Sequence, residues 1–132
     1  MSNKISFTLL EVLIVLVMVS ILASLGMVGY TKAKENTYDK EAVTNLKIMQ
    51  AGQQSYRMTM STYYPPSGSV SDITAINNNL GVFIVGNELQ KAWNYTVSST
   101  GCMQAKRNGY DNRTWYLLAN NTGADPSSGT CP

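Results

Sequence analysis

Histidine is absent from this chain of 132 residues. That removes in one step the commonest general base, the usual activator of a serine or cysteine nucleophile and the most frequent metal ligand. Charge is scarce as well. Against 10 Lys and Arg stand 8 Asp and Glu, a net charge of +2, and the basic residues are scattered, so no stripe argues for nucleic acid. The acids Asp72, Glu88, Asp111 and Asp125 lie far apart, without the Asp-x-Asp spacing of a calcium loop. The chain therefore reads as a non-enzymatic structural subunit with no catalytic, cofactor-binding or metal site.

Proline is rare and comes late. There are 4 in all and none before Pro65, so nothing ahead of that position breaks a helix. Cysteine is limited to Cys102 and Cys131, too widely spaced for a redox CxxC pair or a zinc ligand set. The two thiols either close a disulfide or lie buried and free. A disulfide would be worth on the order of 3–4 kcal/mol to a small domain and would form outside the cytoplasm.

What the chain does have is one long apolar run, "ISFTLLEVLIVLVMVSILASLGMVGYTKAK", over residues 5–34. Its length suits a membrane-crossing or fibre-core helix. Glu11 is out of place in it, because a carboxylate in hydrocarbon is unfavourable by about 2.5–3.5 kcal/mol even on lenient insertion scales. Such a charge needs a partner. Gly26 and Gly29, with Ser20, Ala23 and Ser24, form a small-residue patch that permits close helix packing or a local melt.

From Thr31 the composition changes while the helical period continues. Tyr38, Ala42, Leu46, Met49 and Tyr56 recur at three-, four- and seven-residue steps with Val43 beside them, and Lys40, Glu41, Lys47, Gln50 and Arg57 fall largely elsewhere on the wheel. One helix is predicted from Phe7 to about Met58, roughly 75–80 Å long, half anchor and half spine of a globular domain. Past Pro65 and Pro66 the sequence reads as a loop with one short helix capped by Ser71 and stopped at Gly81. Strands are predicted over 82–85, 93–98, 102–107 and 114–119, with Asn108-Gly109 in a wide hairpin turn and an irregular tail after Ala119. The expected fold class is α+β: a long N-terminal helix packed on a small antiparallel sheet, with a disulfide-bounded C-terminal region. Three N-x-S/T sequons, at Asn94, Asn112 and Asn120, compare with about two expected from composition alone and are not read as glycosylation sites.

The stretch "KISFTLLEVLIVLVMVSILASL" resembles the class III signal sequence of type IV pilins and pseudopilins, with a short Lys-bearing leader, then Phe7, then a Glu four residues later inside an apolar helix. The resemblance covers about the first 30 residues closely and the remainder in architecture. It implies a leader over residues 1–6, a hydrophobic helix over 7–30 and a globular pilin domain over 31–132. It implies that a prepilin peptidase cuts between Ser6 and Phe7 and that the new amino group of Phe7 is methylated. Here Ser6 stands where the family almost always has Gly, and the family's frequent Pro in the membrane helix is missing. The implied partners are other pilin subunits in a homopolymer, the prepilin peptidase, the pilus assembly platform and, before assembly, the inner membrane. The implied product is an extracellular filament serving adhesion, twitching motility or DNA uptake.

Within this resemblance Glu11 acquires its partner, since the Phe7 ammonium lies one helical turn away on the same or a neighbouring subunit. Subunit assembly is therefore assigned to Phe7 and Glu11, and the disulfide to Cys102 and Cys131. Two alternatives stand beside the pilin reading: a pseudopilin of a type II secretion system, whose major class carries a calcium loop without a disulfide, and an unprocessed single-pass membrane protein with a periplasmic domain.

Overall fold

The computed structural model describes residues 8–84, 92–109 and 111–132. A single helix, α1, runs over Leu9–Met60. It ends where Ser61 takes a left-handed conformation, φ 61°, and donates its N–H to the Arg57 carbonyl at 2.8 Å. Then follow β1 (Ser69–Val70), α2 (Ile73–Leu80), β2 (Trp93–Ser98), β3 (Cys102–Arg107), β4 (Thr114–Leu118) and β5 (Ser127–Ser128). The strands form one antiparallel sheet in the order β1-β2-β3-β4-β5. The fold is α+β. The chain divides into two units, Met1–Thr37 and Tyr38–Pro132.

The core belongs to the second unit and follows from two periodicities. On α1 the buried positions Ala42, Leu46, Met49 and Gln53 repeat at four- and three-residue steps, which puts them on one helix face. On β2 the buried Trp93, Tyr95 and Val97 alternate with exposed Asn94 and half-buried Thr96. Register continues these rows across the sheet: Val97 pairs with Met103 and Met103 with Leu117, while Tyr95 pairs with Ala105 and Ala105 with Trp115. Leu46, Met49, Ile76, Val97, Met103 and Leu117 thus meet in one apolar cluster.

Gln50 departs from the expected solvent-facing position. It is buried, and its Nε2 donates to the carbonyls of Leu118 at 2.8 Å and Asn121 at 2.9 Å. The α2 cap is Asp72 and not Ser71, because the Asp72 Oδ1 accepts the Thr74 N–H at 3.0 Å, while Gly81 stops the helix as expected. Of the strand expected over 82–85, residues 82–84 form no strand and Val85 lies outside the described residues. The Asn77 side chain takes a neighbouring strand's place, with Oδ1 accepting the Ile84 N–H at 3.0 Å and Nδ2 donating to the Ile84 carbonyl at 2.9 Å.

The tail is more ordered than its composition suggests. Ser128 pairs with Trp115 and Ser127 with Tyr116, and the Gly129 N–H donates to the Thr114 carbonyl at 2.9 Å. Cys102 and Cys131 form the disulfide, with Cα atoms 6.1 Å apart and a separation of 29 residues. Cys102 is buried beside the inward row of Met103 and Ala105, but strand alternation puts it on the opposite face. The disulfide joins that face to the tail.

Candidate functional site

The described residues of the first unit are nearly all exposed. From Leu9 to Tyr30 the large apolar side chains that the structure describes run from 44% exposed at Ile14 to 84% at Leu9. A helix apolar all round needs an apolar environment on every side, and this one is long and apolar enough to cross a membrane. Its serine and threonine hydroxyls are satisfied within the helix. Ser20 donates to the Leu16 carbonyl at 2.7 Å, Ser24 to Ile21 at 2.8 Å and Thr31 to Met27 at 3.2 Å, the back-bonding that satisfies such groups in a helix. Glu11 has no comparable way to hide its charge.

The start of α1 gives Glu11 a local role that its isolated charge conceals. Thr8 precedes the first helical residue, and its Oγ1 accepts the Glu11 N–H at 3.3 Å while its carbonyl accepts the same N–H at 3.1 Å. Thr8-Leu9-Leu10-Glu11 therefore has the spacing of a capping box, with Glu11 at the third helical position. An acid there also meets the positive end of the helix dipole. Ser6 and Phe7, the residues of the expected cut, lie outside the described residues, as does the whole leader 1–6.

The globular unit gathers its charges onto named partners. Arg113 bridges two acids, with Nε 2.7 Å from Asp39 Oδ1 and one terminal nitrogen 2.6 Å from Asp111 Oδ2. Arg107 is buried, its guanidinium carbon 4.5 Å from the centre of the Tyr38 ring, and it donates to the Ala92 carbonyl at 2.7 Å. Trp93 Nε1 donates to the Tyr38 carbonyl at 2.8 Å, so these cations and rings tie β2, β3 and the β3–β4 connection to α1. Lys47 meets Asp125 at 2.6 Å, fixing the tail to α1 from the outside.

Hydrogen bonding from Arg113 holds the Asp111 carboxyl below the usual range, and hydrogen bonding from Lys47 does the same for Asp125. Burial is the largest influence on Tyr95, whose pKa is pushed up to about 12; the Glu41 charge adds to the rise and the hydrogen bond from Asn45 opposes it. Tyr95 and Asp125 join elements of the fold, and Asp111 holds Arg113, which reaches Asp39 on α1. Among the described residues no cluster of three or more His, Cys, Asp or Glu side chains is placed to hold a metal ion.

Of the expected site residues, Glu11 and the two cysteines fall within the described chain, and the cysteines are joined. Residue reading missed the Thr8 cap, although "TLLE" carries its signature. It also missed Gln53, a buried amide on the apolar stripe of α1. No family model matches the chain, and no curated protein matches its sequence.

Proposed function

We propose that the chain is the subunit of a type IV pilus-like filament, stored in the inner membrane by its apolar helix and released into an extracellular fibre after its leader is removed. The observation that carries this reading is the single helix α1, which joins an exposed, predominantly apolar segment bearing one acid near its start to a disulfide-closed α+β unit. Removal of residues 1–6 creates an ammonium at Phe7, four residues before Glu11 in the sequence. Pairing of the two in a water-free fibre core offsets the cost of the buried carboxylate and fixes axial register. The Cys102–Cys131 disulfide supports a pilus subunit over a calcium-loop pseudopilin.

The Thr8–Glu11 cap favours a second reading, an unprocessed single-pass membrane protein whose helix starts at Leu9 and whose acid serves that start alone. Intact mass of the protein from sheared surface fibres and from membranes separates the two. A mass corresponding to methylated Phe7 at the terminus, found in the fibre fraction, is the expected result. A full-length mass confined to membranes overturns the filament.

A further inference from the structure

We propose that the groove between the last turns of α1 and the β4–β5 connection is a binding site for a small apolar carboxylate, with the Arg57 guanidinium as its receptor. The groove is open to solvent, has a volume of about 460 Å³ and is lined by Arg57, Met58, Tyr63, Ala119, Asn120 and Thr122, among others. That volume is in the usual range of small-molecule sites.

Arg57 is held in place before any ligand arrives. One terminal nitrogen donates to the Tyr63 hydroxyl at 2.6 Å, and the guanidinium carbon lies 4.8 Å from the centre of the same ring. The ring rests on Gly101, where an added Cβ would come within 2.7 Å of it. The guanidinium is thus fixed by a ring that is itself backed by main chain. Arg113 spends its charge on Asp39 and Asp111, and Lys47 on Asp125. Among the described residues no carboxylate pairs with Arg57.

The rest of the groove selects the ligand's body. Met58, next to Arg57 in the chain, is an apolar side chain left 86% exposed. Gln54, also on the lining, has its amide committed to the Ala119 carbonyl at 3.3 Å. Asn120 and Thr122 complete the lining. A planar guanidinium matches a planar carboxylate through two parallel hydrogen bonds. A single cation balances a monoanion, whereas a phosphate monoester carries up to two charges. The ligand that fits these features is a small carboxylate with an apolar body, of which isovalerate is a simple example.

The test is a titration of the full-length chain in lipid nanodiscs, observed through isotope-labelled methionine methyl groups, with isovalerate as the probe. The Met58 methyl signal is expected to shift saturably with isovalerate. Isovaleramide, which lacks the charge, and acetate, which lacks the body, are each expected to bind about tenfold more weakly or worse. Arg57→Gln is expected to abolish the response with unchanged circular dichroism, and Arg57→Lys to weaken it severalfold. Equal binding of the amide, or an unaltered response in Arg57→Gln, would leave Arg57 as a helix-terminal cation and overturn the site. Tighter binding of inorganic phosphate overturns the carboxylate assignment. Binding of acetyl-Leu-Glu-Leu-amide in the absence of any isovalerate response overturns the small-molecule assignment in favour of peptide docking.

Discussion

Gln53 holds both main-chain polar atoms of Tyr64: its Nε2 donates to the Tyr64 carbonyl at 2.5 Å and its Oε1 accepts the Tyr64 N–H at 2.9 Å. The amide is fully buried, and it orders the chain just after α1 has ended. Gln53→Leu keeps most of the volume and strands both main-chain groups. A loss of about 2–4 kcal/mol is expected, the desolvation cost of two orphaned partners. Urea unfolding followed by tryptophan fluorescence measures it, and a loss under about 1 kcal/mol would mean that water replaces the amide at no great cost.

A second close approach lies one residue away. A Cβ on Gly52 would stand 2.7 Å from Val82 Cγ1 and 3.0 Å from the Leu80 carbonyl oxygen. Gly52→Ala gains about 1 kcal/mol of helix propensity and risks about 1–3 kcal/mol of overpacking. Overpacking should win, because the Leu80 oxygen is main chain and is held by the Gly81 helix stop. Net destabilisation is expected in the same urea assay. A more stable Gly52→Ala chain would show that Val82 and Leu80 yield easily.

These two residues show where reading a sequence stops. The course of α1 is legible because its 3.6-residue period persists without a proline, and β2 and β3 because Trp93, Tyr95 and Val97, then Met103 and Ala105, alternate with more exposed neighbours. Strands β1 and β5 have two residues each, too few for a period. Residues 82–84 have strand composition, but the Asn77 amide supplies their main-chain partners. Gln50 reads as a surface residue because its acceptors, Leu118 and Asn121, are contributed from far along the chain. At the candidate site Glu11 stands out as the lone charge in an apolar run. The Arg57–Tyr63 pair does not, since it depends on the chain reversing at Ser61.

Tyr95 makes stability sensitive to alkali. Its folded pKa of about 12 exceeds the ordinary tyrosine value of 10.0, so above pH 10 the unfolded chain ionises this phenol while the folded chain keeps it neutral. The stabilisation is whole below the unfolded pKa and is lost as pH rises from about 10 to about 12, at up to about 1.4 kcal/mol per pH unit. Tyr95→Phe should flatten this part of the curve and lower the plateau slightly through loss of the bond from Asn45. The carboxylates work in the opposite sense. Asp111 and Asp125 have depressed values, so their contribution is present above the ordinary Asp range and fades as pH falls below about 4. An unchanged alkaline slope in Tyr95→Phe would assign that slope to other groups.

The decisive substitution concerns Glu11, because its two proposed roles respond differently to one atom. In a filament Glu11 neutralises the Phe7 ammonium, so Glu11→Leu should enter the membrane at least as well as the parent yet assemble poorly. An unpaired buried charge costs about 3–5 kcal/mol. Glu11→Gln keeps the size and the hydrogen-bonding capacity but not the charge, and its fibre yield should fall between the two. If Glu11 only completes the Thr8 cap, Gln serves as well as Glu in the box, and Thr8→Ala should be the more damaging change, at about 1 kcal/mol of helix stability. Membrane-held and sheared-fibre protein are quantified for each variant at equal expression. The filament reading expects Glu11→Gln to lose fibre and Thr8→Ala to retain it. A Glu11→Gln chain that sheds as much fibre as the parent assigns Glu11 to the helix start and leaves assembly to apolar packing alone.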